Sequence, residues 1–164
     1  MAQGEVDARR RQRKDFDDVL GYIEGVTFQP DIIVTGPDGV TLVVEAKTTL
    51  PNLEQAEEQL SHYMLGMHCP TGILVTPKRM WVYRDLYASP PVVARVGEFD
   101  MSGMWKQEPP QGAHEFELFV QEWLEHVSHH PTKDLPFSVQ EALRNYVLPA
   151  VAGGDLRAAH PRYS

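Results

Sequence analysis

Pro30-Asp31-Ile32-Ile33-Val34-Thr35-Gly36-Pro37-Asp38-Gly39-Val40-Thr41-Leu42-Val43-Val44-Glu45-Ala46-Lys47 carries both the topology and the chemistry of this chain. Asp31 to Val34 is a short strand-like run, and Thr35 to Gly39 supplies the Gly, Pro and Asp that tight turns need. Val40 to Ala46 is again β-branched and apolar, so the two runs read as a β-hairpin whose second strand is central and buried. Side chains alternate along a strand, so Glu45 and Lys47 leave on one face while Val44 and Ala46 leave on the other. If Asp31 neighbours Glu45 across the hairpin, the two carboxylates can hold one hard cation. Mg2+ is the natural choice, because it takes oxygen ligands and keeps several waters; Mn2+ is its substitute, and the backbone carbonyl of Ala46 is a third oxygen donor. Such a cation offsets charge on a phosphodiester and makes a bound water more acidic, while the Lys47 ammonium orients that water or stabilises charge developing at phosphorus.

Working outward, Val6 to Ile23 reads as a helix with a narrow apolar stripe (Val6, Phe16, Val19, Leu20, Ile23) among many charges. Leu53 to Met67 places Leu53, Ala56, Leu60, Tyr63, Met64 and Met67 at helical spacing, with Glu54, Glu57 and Glu58 toward its N-terminal end, where the helix dipole favours them. Gly72-Ile73-Leu74-Val75 and Met80 to Tyr83 form a second hairpin across Thr76-Pro77-Lys78-Arg79, and a strand over 91–96 follows. Beyond Gly97 a loop rich in Gly and Pro leads to an amphipathic helix over 114–127, a further loop, and a last helix over 139–147. Gly153-Gly154 opens a polar tail expected to be mobile. The order predicts an α/β fold, a mixed sheet with helices packed on it. Residues 1–100 are read as the core, 101–152 as a helical C-terminal extension packed on the same domain, and 153–164 as the tail.

The Pro30-Asp31 pair, the Val43-Val44-Glu45-Ala46-Lys47 run and the helix containing Gln59-Leu60-Ser61-His62-Tyr63 together resemble the PD-(D/E)xK nuclease superfamily. The likeness is strongest to the subset with a Q-x-x-x-Y motif, found in RecB-like nucleases and in the nuclease domain of type I restriction motor subunits. The hairpin of Gly72 to Thr76 and Met80 to Tyr83 is similar to what those restriction domains carry. The resemblance spans Asp31 to Asp85. It implies a restriction-endonuclease-like mixed central sheet flanked by helices and Mg2+-dependent hydrolysis of DNA. It assigns metal binding to Asp31 and Glu45, catalysis to Lys47, and a place near the nucleic acid to Gln59 and Tyr63. The last two are four apart and share one helix face. The family also draws an acidic residue from its first helix; Glu5, Asp15, Asp18 and Glu24 are all available here, and nothing in the sequence chooses between them.

Bulk properties bound these readings. A chain of 164 residues fits one domain. No apolar run approaches the roughly 20 residues of a membrane helix, and the charged start lacks a signal-peptide core, so a cytoplasmic protein without membrane association is expected. Cys69 stands alone, so no intrachain disulfide or thiolate metal site forms. The formal net charge of −8 argues against a surface that coats nucleic acid non-specifically, although Arg9, Arg10, Arg11, Arg13 and Lys14 gather in a basic N-terminal element. His126, His129 and His130 lack the second ligand cluster that a zinc site needs. Trp81, Trp105 and Trp123 read as packing residues rather than base-stacking platforms. DNA is the expected partner, and a homodimer or larger complex is expected because one small domain has little surface to grip both strands of a duplex. The alternative is a catalytically inactive binding or assembly module in a DNA defence or repair complex, motivated by the acidic charge and the unidentified first-helix acid.

Overall fold

Strand β2 (Gly39–Ala46) is buried without interruption from Leu42 onward, as a central strand covered on both faces must be. It pairs antiparallel with β1 (Ile32–Gly36) in the register Ile32 to Val44 and Val34 to Leu42, with a bulge between Val34 and Thr35. Gly39 closes the hairpin at φ +123°, a backbone state that a side chain would strain. On its other side β2 pairs parallel with β3 (Thr71–Val75), and the crossover between them is helix α1 (Leu53–Met67). Asn52 caps α1 by accepting the Gln55 N–H, and His68, in the left-handed conformation, ends it.

The computed structural model describes residues 29–129, 135–152 and 154–158. The sheet continues antiparallel from β3 to β4 (Arg79–Asp85) and β5 (Val93–Asp100), and its full order is β5-β4-β3-β2-β1-β6, where β6 is Asp155–Ala158. This is a mixed α/β fold, a six-stranded mixed sheet flanked by helices. On one face α1 buries Leu60 and Met64 against Val43, Leu74, Trp81 and Tyr83. On the other lie helix α2 (Ala113–His129), helix α3 (Phe137–Ala142), a π-helical turn (Leu143–Val147) and the short helix α4 (Leu148–Val151). Phe116, Val120, Leu124, Leu143 and Val147 from this layer enclose Ile32, Val44, Ile73 and Val82. Among the described residues no helix is long and apolar enough to cross a membrane.

Three expectations change in detail. The strand expected over 91–96 starts at Val93 and runs to Asp100, through Gly97; the Phe99 ring fills the space a Gly97 side chain would need, so this glycine serves packing and does not end the strand. The last helix extends to Val151 and widens at Leu143–Val147, where the Leu148 N–H reaches back to the Leu143 carbonyl. Pro149 follows, and its missing N–H and bulky ring oppose regular α packing at that point. Asp155–Ala158, expected to lie in a mobile tail, instead forms β6 and pairs with β1 in the register Ile32 to Ala158. Polar composition hid an edge strand, which buries only one side of each residue pair. The helix expected over residues 6–23, with its basic run and its candidate acids Glu5, Asp15, Asp18 and Glu24, falls outside the described residues.

Candidate functional site

Asp31 sits where β1 begins. Its N–H donates to the Val44 carbonyl at 3.0 Å, and its Oδ2 accepts the Ala46 N–H at 2.8 Å, so the side chain supplies the last rung between the strands. That rung fixes the carboxylate beside Glu45 and Lys47. Lys47 continues the β2 line, its N–H donating to the Val75 carbonyl at 2.9 Å. Its ammonium lies 3.4 Å from Glu45 Oε2 and 3.8 Å from Asp31 Oδ2. The hairpin thus brings Asp31, Glu45 and Lys47 together, and Ala46, whose carbonyl is the expected third donor, lies between Glu45 and Lys47 with its side chain in the opposite core.

The two carboxylates are deeply placed, Asp31 4% and Glu45 6% exposed, whereas the Lys47 side chain is 43% exposed and reaches solvent. Burial, and then the neighbouring Asp31 carboxylate, push the Glu45 carboxyl up to about 8 against the pull of Lys47. For Lys47, burial lowers the pKa, but Glu45 first, then Asp31 and Glu117, outweigh it and raise it. Glu45 Oε1 is buried and accepts no hydrogen bond among the described residues. An ionised carboxylate with an orphan oxygen in such a setting is costly unless a cation or proton meets it. That oxygen, on one of two neighbouring carboxylates, is a hard donor of the kind a Mg2+-type ion takes in preference to a soft metal. Among the described residues no group of three His, Cys, Asp or Glu is placed to hold a metal ion.

Gln59 and Tyr63 lie on α1, partly buried, with Tyr63 packed against the core beneath the helix. Glu57 of the same helix accepts from Tyr83 on β4 and from Arg95 on β5, so its flank faces that side of the sheet. With about 3.6 residues per turn, Gln59 and Tyr63 occupy a different flank of the helix from Glu57. Burial raises the Tyr63 phenol pKa. His126 and His129 are exposed on α2, Trp81 is buried, and Trp105 and Trp123 pack against the core.

Sequence reasoning missed Glu117. It lies on α2 across the sheet, its side chain only 13% exposed, and acts electrostatically on Lys47. Its only mark in the sequence is a place next to the buried Phe116 on an amphipathic helix, which many solvated glutamates share. The Glu57, Tyr83 and Arg95 cluster was equally hidden, because it joins residues from three elements. No family model, curated protein or solved structure matches this chain.

Proposed function

We propose that this chain is a PD-(D/E)xK nuclease with a restriction-endonuclease-like fold, hydrolysing phosphodiester bonds of DNA with Mg2+. The observation that carries this reading is the buried Asp31 and Glu45 pair, one of whose oxygens has no partner among the described residues, with the Lys47 ammonium beside both. Asp31 and Glu45 would hold the ion with the Ala46 carbonyl, and the ion when bound neutralises phosphoryl charge and acidifies a water. Lys47, exposed at its tip, meets the substrate phosphate and either orients the attacking water or stabilises charge at phosphorus. Asp31 also keeps the geometry, since its hydrogen bond to the Ala46 N–H ties the two strands that present the site. The parallel β2 and β3, joined by α1 and followed by the β3–β4 hairpin, agree with the fold that the resemblance implies.

Cleavage of plasmid and linear DNA in Mg2+ tests the reading. Glu45→Ala and Lys47→Ala are each expected to lower the rate by about 100-fold or more. Wild-type rates in either variant overturn the assignment. A second reading, a non-cleaving binding or assembly module, draws on one observation: Lys47 already lies near both carboxylates, as an internal counter-ion would. Calorimetric titration with Mn2+ separates the two, because a module of that kind shows no binding that Asp31→Asn removes. Self-association belongs to the nuclease reading and is measured by light scattering at micromolar concentrations.

A further inference from the structure

A cavity of about 320 Å3 lies between α2 and the turn that follows β5, on the sheet face opposite α1. Its walls are aromatic. The Trp105 ring centroid is 5.2 Å from that of Phe119 and 5.4 Å from that of Trp123, the latter at 70°, and all three rings are only partly buried. Lys106, Gln107 and Glu122 line it too and are exposed. Lys106 has no ion-pair partner among the described residues. The cavity shares one end of the sheet with the carboxylate pair: Trp105 Nε1 donates to the Pro77 carbonyl at 2.8 Å, two residues beyond Val75, whose carbonyl holds the Lys47 N–H. The proposed scissile-bond site and the cavity therefore lie toward the same end of the sheet.

We infer that this cavity is a nucleotide subsite, taking one unpaired nucleotide of the DNA strand with its base on the Trp105, Phe119 and Trp123 wall and its phosphate at Lys106. The choice of ligand rests on the nuclease reading; the pocket chemistry supports it separately. Aromatic walls stack any base through its π-face. Glu122 accepts from base N–H groups, Gln107 both donates and accepts, and an unpaired lysine at the edge complements a phosphate. The volume is at the lower end of ordinary ligand pockets, suited to one nucleotide and too small for a longer segment. Substrates with a frayed, looped or single-stranded nucleotide near the cut are therefore preferred over continuous duplex.

Calorimetry with dAMP and with deoxyribose 5-phosphate in EDTA tests the subsite without cleavage. Saturable dAMP binding is expected, with little binding of the sugar phosphate. Trp123→Leu should weaken dAMP by at least about fivefold, as loss of a stacking partner does. Lys106→Ala, at an exposed position that keeps the fold intact, should weaken it about two- to fivefold. Asp31→Asn and Glu45→Gln should leave it unchanged. No dAMP binding, equal binding of deoxyribose 5-phosphate, or dAMP binding indifferent to both Trp123→Leu and Lys106→Ala overturns the subsite. Cleavage of DNA without dAMP binding defeats this inference alone, whereas dAMP binding without any cleavage defeats the nuclease reading and leaves the subsite standing.

Discussion

Glu45 holds its proton to about pH 8 in the folded chain, whereas an unperturbed glutamate loses it near 4.5. Between these values the native state binds more protons than the unfolded one, so the unfolding free energy falls as pH rises. In EDTA, denaturant titrations at pH 5 and pH 8 should show this loss, of about a few kcal/mol, and Glu45→Gln should flatten it. A pH slope that survives in Glu45→Gln would place its origin elsewhere. Cys69 is a second buried titratable group: its Sγ donates to the Thr71 carbonyl and burial pushes the thiol up to about 12. Aromatic disulfide reagents should therefore modify it only as fast as the chain opens, with the rate rising in step with denaturant.

At the scale of elements, the fit of α1 onto the sheet depends on Gly72. A Cβ there would meet Met64 Sδ at 2.6 Å and Leu60 at 3.3 Å, both fully buried side chains of the helix. Gly72→Val should cost about 1–3 kcal/mol by overpacking, read as a lower midpoint in urea. A double-mutant cycle with Met64→Ala should be non-additive, since the smaller side chain vacates the space the valine needs. Additive costs would mean that the strain lies in the strand itself. The β1–β2 hairpin, α1 and the β3–β4 hairpin were legible from periodicity and turn residues, because each repeats its pattern over enough positions to define a face. Gly97 misled, since a glycine accommodating the ring of Phe99 looks in sequence like a glycine that ends a strand.

Across the whole molecule, β6 shields an edge that would otherwise be open. β1 lies between β2 and β6, and Leu156 packs against the core formed with α2 to α4. A chain ending at Gly154 leaves the backbone groups of Ile32 to Thr35 on that side unpaired. It should unfold at lower denaturant and associate in a concentration-dependent way, as exposed edges do. Light scattering that matches the full chain at every concentration, with an unchanged midpoint, would show that β6 contributes nothing. The molecule is acidic overall, with a formal charge of −8, so any grip on DNA depends on where its few cations stand rather than on bulk attraction. Sequence alone determined the local elements from Asp31 to Asp85 and the grouping of Asp31, Glu45 and Lys47, because strand alternation and one short hairpin fix those neighbours. Only the tertiary structure decided how deeply the carboxylates are buried, that Glu117 acts electrostatically on Lys47 from the far layer, and that residues 155–158 add an edge strand to the sheet. These depend on which distant segments pack together, and no local pattern encodes that.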